Sequence, residues 1–587
     1  MTRVLLAFLL LTSCIPAAAI EPLLPGSPLS TQGRVFEVNT PIGSIPMVFA
    51  PVGRLPDAPS GVSLRLQTFE PPALFAAPLP AGSGARSLAF GGAFLALSDD
   101  ATGPSWNPAG AAQLQSAEAS ATLRHRAVST RHHSGDPGFQ PGDSSFDTTS
   151  LNHAGLVLPV FQEGRDGPLF VIGAQVQEVY DFRQNFRASV TASRRDSASA
   201  TASRTDREQQ SATVKFQNDE IVINILADLT TRSTATLRQT VTSDMSGSFE
   251  FTQQGVIEAY SPSIALRLAP GWSAGLALNL NQEGPLAEHE FRSRTTARFR
   301  SRTTSDEHIT TTRVTDGTYE TSGTLTIPET DYTPVFEIPL PGETGDVPAF
   351  SSTSSTRSRR QRILEGEYTE LNRYDDVAGW NATLGLRWAA PQKASIGVAV
   401  DLPWTADAEQ RREIRTTETL RDAASGRVIS SRESTTSRTQ DIDIDFPLAL
   451  SAGAGFRVLS DWLVSADARF TRWSDFRFGD DPQARALGDT WTCGLGTEWV
   501  ARPGGREIPL RAGLLWEERP APGGVDDYRG FTLGTGFRPG GATSGFLLDL
   551  AYQVLEADDL ASIVPSQPGL RSDTRQHSGW LTLLWQY

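Results

Sequence analysis

Four short patterns in this chain have residue types that could do chemistry, and in each the context decides. Gly271-Trp272-Ser273-Ala274-Gly275 has the G-x-S-x-G spacing of a serine nucleophile, which needs a strand, a sharp elbow and a helix behind the hydroxyl. Ser273 instead follows the turn Ala269-Pro270-Gly271 and opens an alternating segment, so no catalytic residue is expected. His132 and His133 are neighbours that a strand would point to opposite faces, and no spaced Cys, His or carboxylate set completes a metal site around them. Neither metal nor cofactor is therefore expected. Gly494-x-Gly496 and Gly534-x-Gly536 open no helix and cannot cradle phosphate; they would make room on one face of a strand. In Asn107-Pro108-Ala109 the proline fixes its own φ and restricts Asn107, whose amide can cap backbone groups in a confined polar space. Taken alone, that triplet is an ordinary turn.

The elements around these patterns begin with a leader. Thr2-Arg3, the apolar run from Val4 to Leu11 and Ala17-Ala18-Ala19 have the three regions of a secretory signal, so residues 1–19 are expected to be removed. A competing reading takes Leu11-Thr12-Ser13-Cys14 as a lipobox with Cys14 lipidated. If Cys14 is removed, Cys493 is the one cysteine left and no internal disulfide can form. Residues 20–81 are proline-rich and without sustained periodicity, and are expected to be a periplasmic extension partly ordered by contact with the rest of the chain. The formal net charge of -15 argues against a nucleic-acid partner, which would select a basic face. Lys215 and Lys393 are the only lysines, so nearly all positive charge is arginine.

No later run is apolar over the roughly 18 residues of a membrane helix, and mean hydropathy is -0.26. Barrel strands escape that test, since each needs about 9–11 residues and alternates apolar with polar. Such alternation is clear on both sides of Ala269-Pro270-Gly271, where Trp272, Ala274, Leu276, Leu278 and Leu280 share one face. It recurs in about fourteen segments, near 117–132, 148–162, 168–185, 255–268, 272–285, 378–388, 394–406, 445–458, 462–477, 488–500, 507–518, 529–538, 544–556 and 575–587. Alternate connections are short, whereas those near 185–256, 283–378 and 406–441 are long and rich in Ser, Thr and Arg. Short turns on one side, long loops on the other, an even strand count and a final strand ending on Tyr587 describe an outer-membrane barrel with periplasmic turns.

The fold class is thus all-β: a transmembrane antiparallel barrel of about 14 strands over 117–587, with residues 82–116 as a hatch inside the lumen. Arg267, Arg387, Asp401, Arg457, Asp467, Arg511, Arg538 and Asp549 fall on the inward faces, where structural ion pairing is the plainer role for them.

The stretch Gly84–Asp100, with Phe90-Gly91-Gly92-Ala93-Phe94 at its centre, leads through Trp106 into Asn107-Pro108-Ala109, and this resembles the hatch of the FadL-type outer-membrane transporters. Ala466–Phe476 and the pair Leu510–Leu514 and Phe531–Gly536 are similar to strands of the same family. The resemblance implies passive transport of hydrophobic small molecules, long-chain fatty acids or aromatic hydrocarbons, past the hatch, with lateral release through the wall. It implies a hatch motif at Asn107, Pro108 and Ala109. Candidate substrate contacts are Phe90, Phe94 and Trp106 in the hatch, and Gly173, Gln175 and Gln177 on the third strand where a side opening would lie. For the aromatics, plain hatch packing is the alternative. Expected partners are outer-membrane lipid and lipopolysaccharide, the hydrophobic ligand, and the barrel-assembly machinery through the C-terminal strand. The competing function is a plugged barrel that docks other proteins through its loops or extension and transports nothing.

Overall fold

The computed structural model describes residues 34–40, 43–49, 79–80 and 82–587, apart from 136, 138, 162–167, 217–220, 285–290, 328–335, 391–392, 480–486, 522–523, 539–544 and 561–569. The leader, Cys14 and most of the proline-rich extension lie outside the described residues. Fourteen strands form the barrel. They are β1 Glu118–Ser134, β2 Ser144–Val160, β3 Phe170–Asp181, β4 Val256–Ala269, β5 Trp272–Glu283, β6 (residues 378–390, the lower part of Thr344–Ala390) and β7 Ala394–Asp401. Then come β8 Ala449–Leu459, β9 Trp462–Thr471, β10 Thr490–Ala501, β11 Ile508–Ala521, β12 Gly524–Phe537, β13 Phe546–Leu560 and β14 Leu570–Gln586.

Each strand pairs antiparallel with the next, and β14 closes the ring on β1 from Leu570↔Ser134 to Gln586↔Glu118. Closure gives each strand a hydrogen-bonded neighbour on both sides, which is what a sheet needs to sit in hydrocarbon. The outward faces show why it does. Leu278, Leu280, Leu384, Leu386, Ile396, Leu495, Leu514, Leu533, Leu550 and Leu583 are all exposed there, a belt that water would not tolerate. Below the belt, aromatic residues pair across strands, Trp272↔Trp388, Trp462↔Trp499 and Phe546↔Trp585. Above it stand Trp380, Trp491 and Tyr552. An apolar band between two aromatic girdles is the exterior of a bacterial outer-membrane barrel.

The three long polar connections are not irregular loops. Gln184–Phe216, Ile221–Gln254, Phe291–Ile327, the upper part of Thr344–Ala390, Trp404–Asp422 and Val428–Phe446 pair in that order as a six-stranded antiparallel sheet rising from the barrel rim. At about 3.3 Å per residue its longest strands reach on the order of 100 Å. Its inner face carries Phe186, Phe249, Phe251, Phe299 and Tyr368, buried together with Phe139 and Leu570. Phe299 covers Gly366, where a Cβ would fall inside the ring.

Of the extension, the foot and one hairpin are described. Leu79 and Pro80 pair with Asp181 and Tyr180, at the end of β3 from which the long connection leaves. The chain's end, Tyr587, and the start of β1 lie at the opposite mouth, where Tyr587 N–H donates to Ala117 O. The foot of the extension therefore stands at the outer end of the wall and not at the periplasmic mouth. Farther back, the hairpin of Arg34–Thr40 and Gly43–Phe49 lies against Gln184–Phe216 of the outer sheet.

Candidate functional site

The hatch runs from Gly82 into the lumen as a short helix, Ala85–Ala89, and two 3-10 turns, Gly103–Ser105 and Pro108–Gln113. Asn107 is fully buried and extended, φ -150 and ψ 104, as a residue before proline must be. Its Oδ1 caps the last turn by accepting from Ala109 N–H at 3.0 Å, and its Nδ2 donates to Leu95 O at 3.2 Å and to Leu386 O of β6 at 3.3 Å. One side chain thus caps a turn, ties the two halves of the hatch and pins them to the wall. Ser273 Oγ donates to Ala109 O at 2.9 Å, which makes the G-x-S-x-G serine a hatch anchor.

The inward charges divide by height. Arg387 Nε donates to Ala96 O at 2.7 Å, Arg267 to Ala112 O at 3.3 Å, and Asp467 accepts from Leu95 N–H at 2.7 Å, so three of the eight hold the hatch backbone. Arg511 bridges Glu498 at 2.7 Å and Asp549, and Asp401 pairs with Arg469 at 2.9 Å. Arg538 donates to Gln586, and Arg457 sits exposed at the lower mouth bonded to Ser460 O. Within the hatch, Arg86 meets Asp99 at 2.6 Å, Asp100 at 3.5 Å and the wall residue Glu498 at 3.5 Å. Burial pushes both hatch carboxyls up; at Asp99 the Arg86 guanidinium outweighs it and holds the group below the ordinary carboxylate range, while Asp100 ends above that range.

Wall glycines do what the sequence reading asked of two pairs, on a wider scale. A Cβ at Gly494 or Gly496 would meet Gly91 O or Phe90 O at 2.4 Å, and one at Gly534 would meet Ala89. At Gly513 it would meet Gly91 N at 2.3 Å, at Gly275 the Pro108–Ala109 backbone at 2.3 Å, and at Gly385 Asn107 Oδ1 at 2.2 Å. The hatch therefore seats backbone to backbone on the inner wall. Gly275, Gly385 and Gly513 were not singled out from sequence, although each occupies an inward position of an alternating strand.

Above the hatch is a chamber of about 260 Å³. Trp106, Gln175 and Gln177 line it. Phe90 and Phe94 do not: both are fully buried with Ala93, Leu97 and Leu463, so they are hatch packing. Gly173 lies below the chamber against Ser263 Oγ, and the ladders on both edges of β3 are continuous from Phe170 to Gln177, so the wall is closed at that height. Tyr180, Trp404 and Trp473 line the upper chamber and belong to an aromatic cluster that roofs it, with Trp404 and Phe446 stacked at 4.2 Å and Tyr180 and Phe446 at 4.7 Å. The sequence reading missed this cluster, because its members come from the roots of four separate connections. The chamber's arginines face carboxylates: Arg124 to Glu178 at 2.8 Å, Arg126 to Asp181 at 2.6 Å, Arg469 to Asp401 and Arg519 to Glu517 at 2.9 Å.

We expect Asn107→Ala to weaken hatch seating by about 1–3 kcal/mol, because a buried cap and two carbonyl partners are lost together. Amide exchange over residues 95–113 in detergent should quicken about ten- to hundredfold while heat-modifiable gel mobility stays. Unchanged exchange would mean the motif does not anchor the hatch.

No family model matches the chain, and no curated protein matches it. Among solved structures it is similar to the CymD monoaromatic hydrocarbon channel, at 12% identity and TM-score 0.42, covering 86% of this chain and 98% of that one. It is similar also to a Pseudomonas aeruginosa FadL homologue, at 13% identity and TM-score 0.43, covering 88% and 99%. The Pseudomonas putida toluene transporter TodX matches at 12% identity and TM-score 0.42, covering 86% and 98%.

Proposed function

We propose that this barrel is a passive route for hydrophobic small molecules across the outer membrane, and that small aromatic compounds suit it better than a whole long acyl chain. The observation that carries the proposal is the chamber between hatch and aromatic roof. Its volume, about 260 Å³, is near the lower limit of small-molecule sites, enough for one ring with substituents. Each of its four arginines faces a carboxylate, so the lining offers little to draw an anion, and a solute meets aromatic faces and the amide groups of Gln175, Gln177, Asn279 and Asn381. Lipopolysaccharide is the barrier such solutes cannot cross unaided, and nothing in the site requires an energy source.

Intact cells with and without the protein test this, since their lipopolysaccharide leaflet is the barrier concerned. Entry of a toluene-like aromatic should depend on the protein, a long-chain fatty acid should enter more slowly by this route, and a hydrophilic sugar should show no dependence. Equal aromatic entry at equal growth rate with and without the protein would remove the proposal. A second reading, a docking protein with a closed lumen, is favoured by the outer sheet, whose length far exceeds what closing the barrel needs.

A further inference from the structure

One face of the outer sheet is apolar at its root, polar along its shaft and apolar again at its tip. The odd positions of Phe291–Ile327 hold Phe299 near the root, then Ser301, Ser305 and Thr311 along the shaft. Their register with Ile221–Gln254 runs unbroken from Arg292↔Gln254 to Leu325↔Ile221, so these positions keep to one face as far as the tip. There the face changes character. Ile223 and Ile225 stand on one strand, Leu325 and Ile327 on the next. Phe336–Leu340 folds back along the second of these and adds Ile338 opposite Leu325 and Leu340 opposite Gly323. Leu340 Cδ1 and Ile223 Cγ1 close over Gly323, where a Cβ would meet them at 3.1 and 3.5 Å, so a side chain at that position would split the patch. Ile327 and Ile338 are 41% and 44% exposed, and the other four are half-buried. Apart from Val222 and Leu226, the opposite face at this height is polar, with Asn224, Ser322, Thr324 and Thr326.

At about 3.3 Å per residue the patch stands on the order of 100 Å beyond the barrel rim, so it belongs neither to the chamber nor to the membrane that holds the barrel. Apolar side chains grouped at an exposed tip mark a contact surface. Its charge says what it contacts. Residues 221–228, 317–327 and 336–346 contain Asp228, Glu320, Glu337, Glu343 and Asp346, all exposed, and no Lys, Arg or His. Its size narrows the choice further, because a stable interface between folded proteins takes about 20–30 residues a side and this patch offers six. A second copy would also set its own carboxylates against these, and a lipid surface brings either no cation or, where anionic, repulsion. A single amphipathic segment, apolar along one side and bearing Lys or Arg along the other, satisfies both the small apolar area and the acidic surround.

We propose that the tip of the outer sheet binds a cationic amphipathic peptide segment, with its apolar side chains on the patch and its Lys or Arg side chains on the surrounding carboxylates. The site stands whether or not the barrel conducts solutes. The test uses the full chain in phosphatidylcholine nanodiscs, empty nanodiscs as the blank, and a fluorescent synthetic peptide of Leu and Lys in an amphipathic pattern. Two variants separate the forces: Ile327→Asn with Ile338→Asn removes exposed apolar surface, and Glu320→Gln with Glu337→Gln and Glu343→Gln removes charge without volume. Each should weaken binding at least about tenfold, and binding to the parent should weaken as salt rises from about 50 to 300 mM. Equal affinity for the parent and both variants overturns the proposal, as does equal binding of a Leu and Glu peptide of the same pattern. A dimer of the parent that the isoleucine variant abolishes would assign the patch to a second copy and overturn it too. So would flotation of the parent with phosphatidylcholine vesicles, lost in the isoleucine variant, in the absence of peptide binding. Heat-modifiable mobility of each variant checks that the barrel has assembled.

Discussion

Gly275→Val should unseat the hatch and turn a closed barrel into a conducting one. A Cβ at Gly275 falls 2.3 Å from both Ala109 N and Pro108 C, and 2.7 Å from Pro108 O. All three are backbone atoms, so no rotamer change relieves the overlap, and valine adds two methyl groups beyond it. Overpacking of this kind costs about 1–3 kcal/mol where side chains can yield, and more where the main chain must move. The hatch rather than the wall should give way, because β5 is laddered on both sides of Gly275, Ser263↔Ala277 to Arg267↔Ser273 and Trp272↔Trp388 to Gln282↔Ala378. With Pro108–Ala109 lifted, the bonds from Ser273 Oγ and from Asn107 to Leu386 O are broken as well. In planar bilayers the ion conductance of the variant should exceed that of the parent by at least about tenfold, as expected for a barrel of this width losing its plug. Leu276→Val, one residue on and pointing outward, should conduct like the parent. A Gly275→Val protein as silent as the parent would mean that the hatch tolerates a shifted seat, and that the close glycine contacts do not fix it.

The barrel was legible in the sequence, and the outer sheet was not, for one physical reason. In β5 the outward Leu276, Leu278 and Leu280 face hydrocarbon, so the period of two is written in hydrophobicity. In Phe291–Ile327 the inward positions hold Ser293, Thr295, Ser301, Thr303 and Ser305, and the outward ones Arg294, Arg298, Arg300 and Arg302. The period is still two, but small polar alternates with charged, and a hydropathy scale sees a uniform polar loop. Only Phe291, Ala297 and Phe299 mark the buried face. The hatch motif could be read only through the resemblance of its surroundings to a known hatch, since Asn107-Pro108-Ala109 taken alone is an ordinary turn. The aromatic roof could not, since Trp404, Phe446, Trp473 and Phe182 meet only after the connections fold. The pairing of Leu79 and Pro80 with β3 could not be read at all: a Leu-Pro pair in a proline-rich stretch carries no record of the strand edge that takes it.

The hatch also depends on charge, and Arg86→Met should show how much. Arg86 is the cation shared by Asp99, Asp100 and Glu498, and its guanidinium also lies over the Phe94 ring at 5.4 Å. Methionine keeps most of the volume and the contact with Phe94 but leaves the carboxylates without that cation. For a wholly buried pair such a loss costs about 3–5 kcal/mol; here Asp99 remains partly exposed, and about 2–4 kcal/mol is the fitting range. Glu498 keeps Arg511, so the wall network survives and the damage falls on the hatch. Heat-modifiability should therefore be unchanged, while amide exchange over the hatch quickens and conductance rises. The pH dependence fixes the cause. In the parent, Asp99 is held below its ordinary range, so its pairing stabilises the hatch at neutral pH and is lost only as pH falls through that lowered value. In the variant the same carboxylates lack Arg86, are raised instead, and stop repelling each other once protonated. The difference between the two proteins should be greatest at pH 7 and shrink as pH falls toward about 4, because acid relieves the variant while the parent, whose Asp99 stays ionised to lower pH, changes little. A gap of constant size from pH 7 to 4 would assign the loss to packing around Phe94 and not to charge.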